Sequence, residues 1–105
     1  HGPIALIDQN VPIVALAPRT SLFEKTLSNV QEAKAREGVI IGVGTEGDEL
    51  LPDVSDEFLA VPECMPELTP LLAVVPLQML AYHVAVQLGC DVDQPRNLAK
   101  SVTVE

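Results

Sequence analysis

Val11 to Ala17 is an uncharged run of strand length, rich in Val and Ile, and it is closed by Pro18. It shows no polar alternation, which is how a strand covered on both faces reads, and Pro12 is tolerable as an opening residue. Val39 to Val43 is a second short run of the same kind. Between them Ser21 and Glu24 fit the S-x-x-E capping box, and Phe23, Leu27 and Val30 recur at helical spacing. Lys34 and Arg36 fall in the last turn, where the helix dipole favours cations, and Gly38 suits a left-handed C-cap. The spacing therefore predicts a helix from about Ser21 to about Glu37. Strand, helix and strand in this order require a parallel pair joined by a right-handed crossover, so the fold class is α/β.

Gly44 to Glu57 is polar, acidic and broken by Gly47 and Pro52, so it reads as a connection to a third short strand, Phe58 to Val61, ended by Pro62. Thr69 is placed to cap a helix opening on Pro70 and running to Gly89, apolar on nearly every face, which must be buried by something. Pro76 predicts a kink or restart near Val75. Ile4 to Asp8 reads as a short helical or turn segment and Cys90 to Glu105 as an extended tail. Three parallel strands with so few covering helices would leave apolar faces wet, so the chain is expected to be a piece of a larger α/β domain.

Fifteen acidic residues against six basic ones give a net charge of -9, which repels phosphate backbones and anionic lipid headgroups; nucleic acid is not an expected partner. With so few cations, a phosphate site must draw on backbone N–H groups or on residues outside this chain. Cys64 and Cys90 have no short spacing between them, which suits reduced cytoplasmic thiols rather than a disulfide framework. No signal peptide is read at the N-terminus, and the longest apolar stretch, Leu71 to Leu88, is interrupted by Pro76, Gln78 and His83, so no membrane span is expected.

Gly42-Val-Gly-Thr-Glu-Gly47 fits G-x-G-x-x-G after a strand, but Asp48 to Leu51 is a short acidic stretch stopped by Pro52 where the motif needs a long helix. It reads as a glycine-rich strand exit, and no cofactor is expected. Asp91 and Asp93 have calcium-loop spacing, yet Arg96 and Val102 stand where the turn glycine and the bidentate glutamate belong. His83 and Cys90 lack the further ligands of a zinc site, so His83 reads as a packed core or interface histidine and no metal is expected.

His1 carries only the general suitability of an imidazole for proton transfer near neutral pH. Lys100 is flanked by Leu98, Ala99, Val102 and Val104. Docking of such a segment would desolvate its ammonium and favour the neutral amine that Schiff-base chemistry uses. On the residues alone, a solvated lysine near a chain end is the simpler reading.

The stretches Val75-Pro-Leu-Gln-Met-Leu-Ala-Tyr-His-Val-Ala85 and Asp91-Val-Asp-Gln-Pro-Arg-Asn-Leu-Ala-Lys-Ser-Val-Thr-Val-Glu105 resemble the C-terminal end of the glucosamine-6-phosphate synthase family, and His1-Gly-Pro-Ile-Ala-Leu-Ile-Asp8 resembles its His-Gly-Pro segment. Arg19 to Met65 is generic. The resemblance implies the second half of a sugar isomerase (SIS) domain: part of a doubly wound parallel sheet, about three strands with flanking helices, over residues 1–89. Residues 90–105 would be a tail that closes the sugar-phosphate site.

By the same resemblance, Lys100 is the lysine that condenses with fructose 6-phosphate at C2. His1 is the histidine that helps open the sugar ring and reaches the neighbouring subunit's site in a homodimer, and the Ala99 backbone contacts the sugar. The implied partners are fructose 6-phosphate and glucosamine 6-phosphate, a glutaminase domain and the remaining SIS domain of the same protein. The implied role is the first step of amino-sugar and UDP-N-acetylglucosamine synthesis in the cytoplasm. The glutaminase nucleophile, the phosphate-binding loop and the residues just upstream of the His-Gly-Pro segment are not in these residues, so no turnover is expected of the chain by itself. Two other readings share the fold: a noncatalytic phosphosugar-binding regulatory module, and an SIS deglycase or aldose-ketose isomerase.

Overall fold

The computed structural model describes residues 2–94. A single 3-10 turn, Pro3–Leu6, precedes β1 (Pro12–Leu16), α1 (Phe23–Lys34), β2 (Val39–Thr45), α2 (Leu50–Val54), β3 (Glu57–Val61) and α3 (Thr69–Gln87). The strands form one sheet in the order β1-β2-β3, parallel throughout, with Val14 opposite Ile41 and Val43 opposite Leu59. The α/β class and the three-stranded parallel sheet follow the sequence reading.

The alternation of side chains along each strand divides the structure into two faces. On one, Ile13, Ala15 and Ala17 join Ile40 and Phe58 and pack against Phe23, Leu27, Val30 and Ala33 of α1 and Leu51 and Val54 of α2. Ile40 and Leu51 are fully buried there. Gly42 and Gly44 lie inside β2, pointing at α2. A Cβ on Gly44 would stand 2.8 Å from Leu51 Cδ2 and 3.2 Å from the Ala17 carbonyl, so the two glycines make room for Leu51. On the other face α3 packs over β2 and β3, burying Val43, Val61 and Ala73.

Several local expectations are corrected. Ser21 and Glu24 form no capping box: the helix opens two residues later, with Leu22 at the cap position and no side-chain cap. Thr20 Oγ1 instead accepts the Leu22 N–H at 3.3 Å. The helix also stops at Lys34, and the left-handed residue is Glu37 at φ 64°, not Gly38. Gly38 N–H reaches back to the Ala33 carbonyl at 3.3 Å, closing a Schellman-like end. Its missing Cβ serves packing, since that atom would meet Ile13 Cδ1 at 2.7 Å and Ile7 Cγ2 at 2.9 Å.

The polar connection after β2 contains the five-residue helix α2. Thr69 lies inside α3 rather than capping it, because the turn Pro66–Leu68 feeds directly into the helix. Pro76 is accommodated within one continuous helix. The expected burial of that helix is met along one side only.

Candidate functional site

The three residues that the sequence reading ties to chemistry, His1, Ala99 and Lys100, all lie outside the described residues. The structure does fix where their segments join the domain. Ile7, just past the first turn, packs beside Gly38, the residue before β2, so the N-terminal segment lies at the amino edge of the sheet. α3 begins after the carboxyl end of β3 and packs back along β3 and β2. Its 19 residues span about 28 Å, against about 17 Å for a five-residue strand.

Past α3 the chain turns at Gly89, at φ 72°, and Asp91 Oδ1 accepts the N–H groups of Asp93 and Gln94, each at 3.0 Å. That carboxylate, which had calcium-loop spacing with Asp93, is occupied in shaping a turn.

The carboxyl edge, where open α/β sheets usually hold ligands, carries a network that sequence reasoning missed. Arg19 donates through Nη2 to Asp48 Oδ1 and, through its backbone N–H, to Thr45 Oγ1 at 2.9 Å. Its guanidinium lies 4.3 Å from the Phe23 ring centroid, in cation-π contact. The Asp48 side chain is fully buried while that of Arg19 is 47% exposed. Asp48 also accepts the N–H groups of Leu50 and Leu51 at 3.3 and 3.1 Å. A carboxylate so engaged ties the loops after β1 and β2 together and holds the first N–H groups of α2. The signal available in the sequence was Asp48 three residues ahead of Leu51, an N-cap spacing in the stretch that otherwise read as merely acidic.

At the opposite edge Asp56 Oδ1 accepts from Lys34 Nζ at 2.6 Å and Oδ2 from the Ile40 N–H at 2.7 Å. The lysine hydrogen bond first, and then the Ile40 N–H, hold its carboxyl below the ordinary aspartate range. Cys64 and Cys90 are both free thiols. His83 is exposed rather than packed in a core, with its ring edge-on to Tyr82 at 5.4 Å between centroids. Among the described residues no group of three or more His, Cys, Asp or Glu is placed to hold a metal ion.

Parallel strands with α1 and α2 on one face and α3 on the other form a three-layer α/β unit, the class to which sugar isomerase domains belong. The C-terminal domain of glucosamine-fructose-6-phosphate aminotransferase from Francisella tularensis superposes with a TM-score of 0.79 at 42% identity, over 90% of this chain and 27% of that one. No protein-family model matches the chain. The glutamine–fructose-6-phosphate aminotransferase [isomerizing] of Thermus thermophilus is 61% identical over all 105 residues, and that of Aquifex aeolicus 55%. The chain belongs to the glutamine–fructose-6-phosphate aminotransferase family and matches the C-terminal part of its members. It spans 17% of the length of the Thermus relative and 18% of the Aquifex one.

Proposed function

We propose that this chain works as the C-terminal part of the sugar-handling half of an enzyme that converts fructose 6-phosphate and glutamine-derived ammonia to glucosamine 6-phosphate. The observation that carries the reading is identity of 61% across the whole chain to a relative bearing that activity in its name. Residues 1–89 form the SIS portion and residues 90–105 the closing tail. The Lys100 amine attacks C2 of the open-chain ketose and, as water leaves, forms an imine that ammonia can displace. His1 moves a proton during ring opening, from one subunit of a homodimer into the site of the other, and the Ala99 backbone contacts the sugar. A closed tail keeps water from the imine and from ammonia.

Phosphate binding falls to residues that precede position 1, in keeping with the net charge of -9. The glutaminase domain and a further SIS domain are the intramolecular partners, and two free thiols suit a cytoplasmic setting.

The test is reductive trapping in the protein at its relatives' length. Fructose 6-phosphate with borohydride should leave a stable secondary amine on Lys100, located by peptide mass spectrometry. Lys100→Ala should lose it. An adduct in full yield on the alanine variant would refute the lysine assignment, and no adduct on the parent protein would favour the noncatalytic phosphosugar-binding module.

A further inference from the structure

Residues 2–11 are held to the domain by little besides one side chain. The turn Pro3–Leu6 buries none of its residues, and Leu6 stands 74% exposed. Within the segment only Ile4 and Ile7 are half-buried, and only Ile7 packs on the core cluster. Among the described residues its hydrogen bonds all close inside it. Ala5 N–H reaches the Gly2 carbonyl at 3.0 Å, Ile7 N–H that of Ile4 at 3.3 Å and Val11 N–H that of Asp8 at 3.3 Å, while Asn10 N–H donates to Asp8 Oδ1 at 2.8 Å. No ion pair among the described residues involves it. The segment is ordered within itself and tied to the rest at one point.

That tie is closely fitted. Gly38 is buried and its backbone is not left-handed, so what the glycine supplies is space. A Cβ there would stand 2.7 Å from Ile13 Cδ1, 2.9 Å from Ile7 Cγ2 and 3.0 Å from the Ala33 carbonyl oxygen. Ile13 Cδ1 ends a flexible chain and can swing aside, whereas Ile7 Cγ2 sits on the Cβ branch and moves only with χ1 or with the backbone. The backbones of Ile13 and Ala33 are fixed by β1 and α1. Ile7, which no strand or helix holds, is the member of the group that would give way.

We infer that residues 2–11 form a strap that opens and closes over the amino edge of the sheet as one unit, with the Ile7 side chain as its catch and Gly38 as the floor of the socket. A segment with few apolar contacts and no outside hydrogen bonds opens at low free energy, and one whose bonds are all internal moves whole. The hinge falls between Val11 and Pro12, because β1 pairing begins at Pro12, opposite Val39. Opening also uncovers Gly38, whose N–H closes the end of α1 on the Ala33 carbonyl at 3.3 Å, so the state of the strap is felt at the last turn of that helix. The inference goes beyond the proposed function and does not rest on it.

Hydrogen exchange read residue by residue by mass spectrometry, on the protein at its relatives' length, tests this. The bonded amides of Ala5, Ile7, Asn10 and Val11 should share one protection factor, lower than that of the interior β2 amides. Ile7→Ala should speed exchange at all four at least about fivefold and leave the interior of β2 within about twofold, and Gly38→Ala should do the same by filling the socket. In the double variant the two factors should not multiply, because alanine at position 7 leaves nothing for the new methyl group to displace. Unequal exchange among the four amides of the parent protein would overturn the single unit. Unchanged exchange in the two single variants, or factors that multiply, would overturn the catch. So would a rise spread equally through β2, since Ile7 would then be part of the core rather than a catch upon it.

Discussion

The two faces of the sheet are finished to different degrees. Under α1 and α2 the packing is closed: Ile40 and Leu51 have no exposed surface, and two glycines in β2 are shaped around a single leucine. Over α3 the inner row is settled while the outer row is open, with Leu71 at 65% and Met79 at 51% exposure. Both faces are built from the same kinds of residue, so hydrophobicity alone does not tell them apart. The difference is one of geometry. α1 has a polar outer side that ends its need for partners, whereas α3 is apolar all round and requires a second layer. A helix of the second kind indicates structure that lies beyond itself.

The largest expected effect tests that contrast directly. Leu51→Ala removes a fully buried side chain from the closed face and should cost about 2–5 kcal/mol. Met79→Ala on the open face should stay within about 0.5 kcal/mol in the 105-residue chain, because its side chain faces solvent there. Urea unfolding midpoints read both. A Met79 variant as damaging as the Leu51 variant would show the faces to be equally closed, and the comparison would collapse.

The network at the carboxyl edge comes next. Asp48→Ala strips two helix N–H groups of their acceptor and leaves the Arg19 guanidinium without its partner. Loss of a cap with a charged hydrogen bond costs about 1–3 kcal/mol. Asp48→Asn, which keeps an acceptor for the N–H groups and loses the charge, should recover part of this. If alanine and asparagine are equally destabilising, the ion pair to Arg19 rather than the cap is what holds the loops. The measurement is again the unfolding midpoint, with hydrogen exchange at Leu50 and Leu51 to locate the change.

What the sequence disclosed follows the same division. Strands were legible because uncharged runs such as Val11 to Ala17 have few other uses, and α1 because Phe23, Leu27 and Val30 keep their period. The small helix α2 was hidden, since five residues containing Pro52 offer no period to read. Helix ends went astray for a related reason: Glu37 takes the left-handed conformation that a glycine was expected to supply, because the neighbouring glycine is needed for close approach to Ile7 and Ile13. A chemical role for Lys100 was suggested only by resemblance. Nothing in the physics of Leu98 to Val104 distinguishes a catalytic lysine from a solvated one.

The smallest expected effect lies at Asp56, on the rim of the closed face, and its sign is set by the direction of its pKa. The Lys34 ammonium and the Ile40 N–H stabilise the ionised carboxylate in the fold and hold its pKa under the ordinary value near 3.8. A carboxyl depressed in this way stabilises the folded state above the unfolded value, and the contribution fades as pH falls through the lower, folded value. Stability should therefore drop as pH falls below about 4 by more than in Asp56→Asn, which keeps an acceptor for Ile40 and has no proton to gain. The pair is exposed, so salt should shrink the difference. Asp56 also accepts and donates backbone bonds with Ile40, one residue before β3 begins, so the pH effect should appear as fraying at the start of β2 and β3. Amide exchange at Ile40 and Asp56 at pH 3 and pH 5 measures this. A uniform loss of protection through α3 as well would mean that the acid sensitivity belongs to the open face instead.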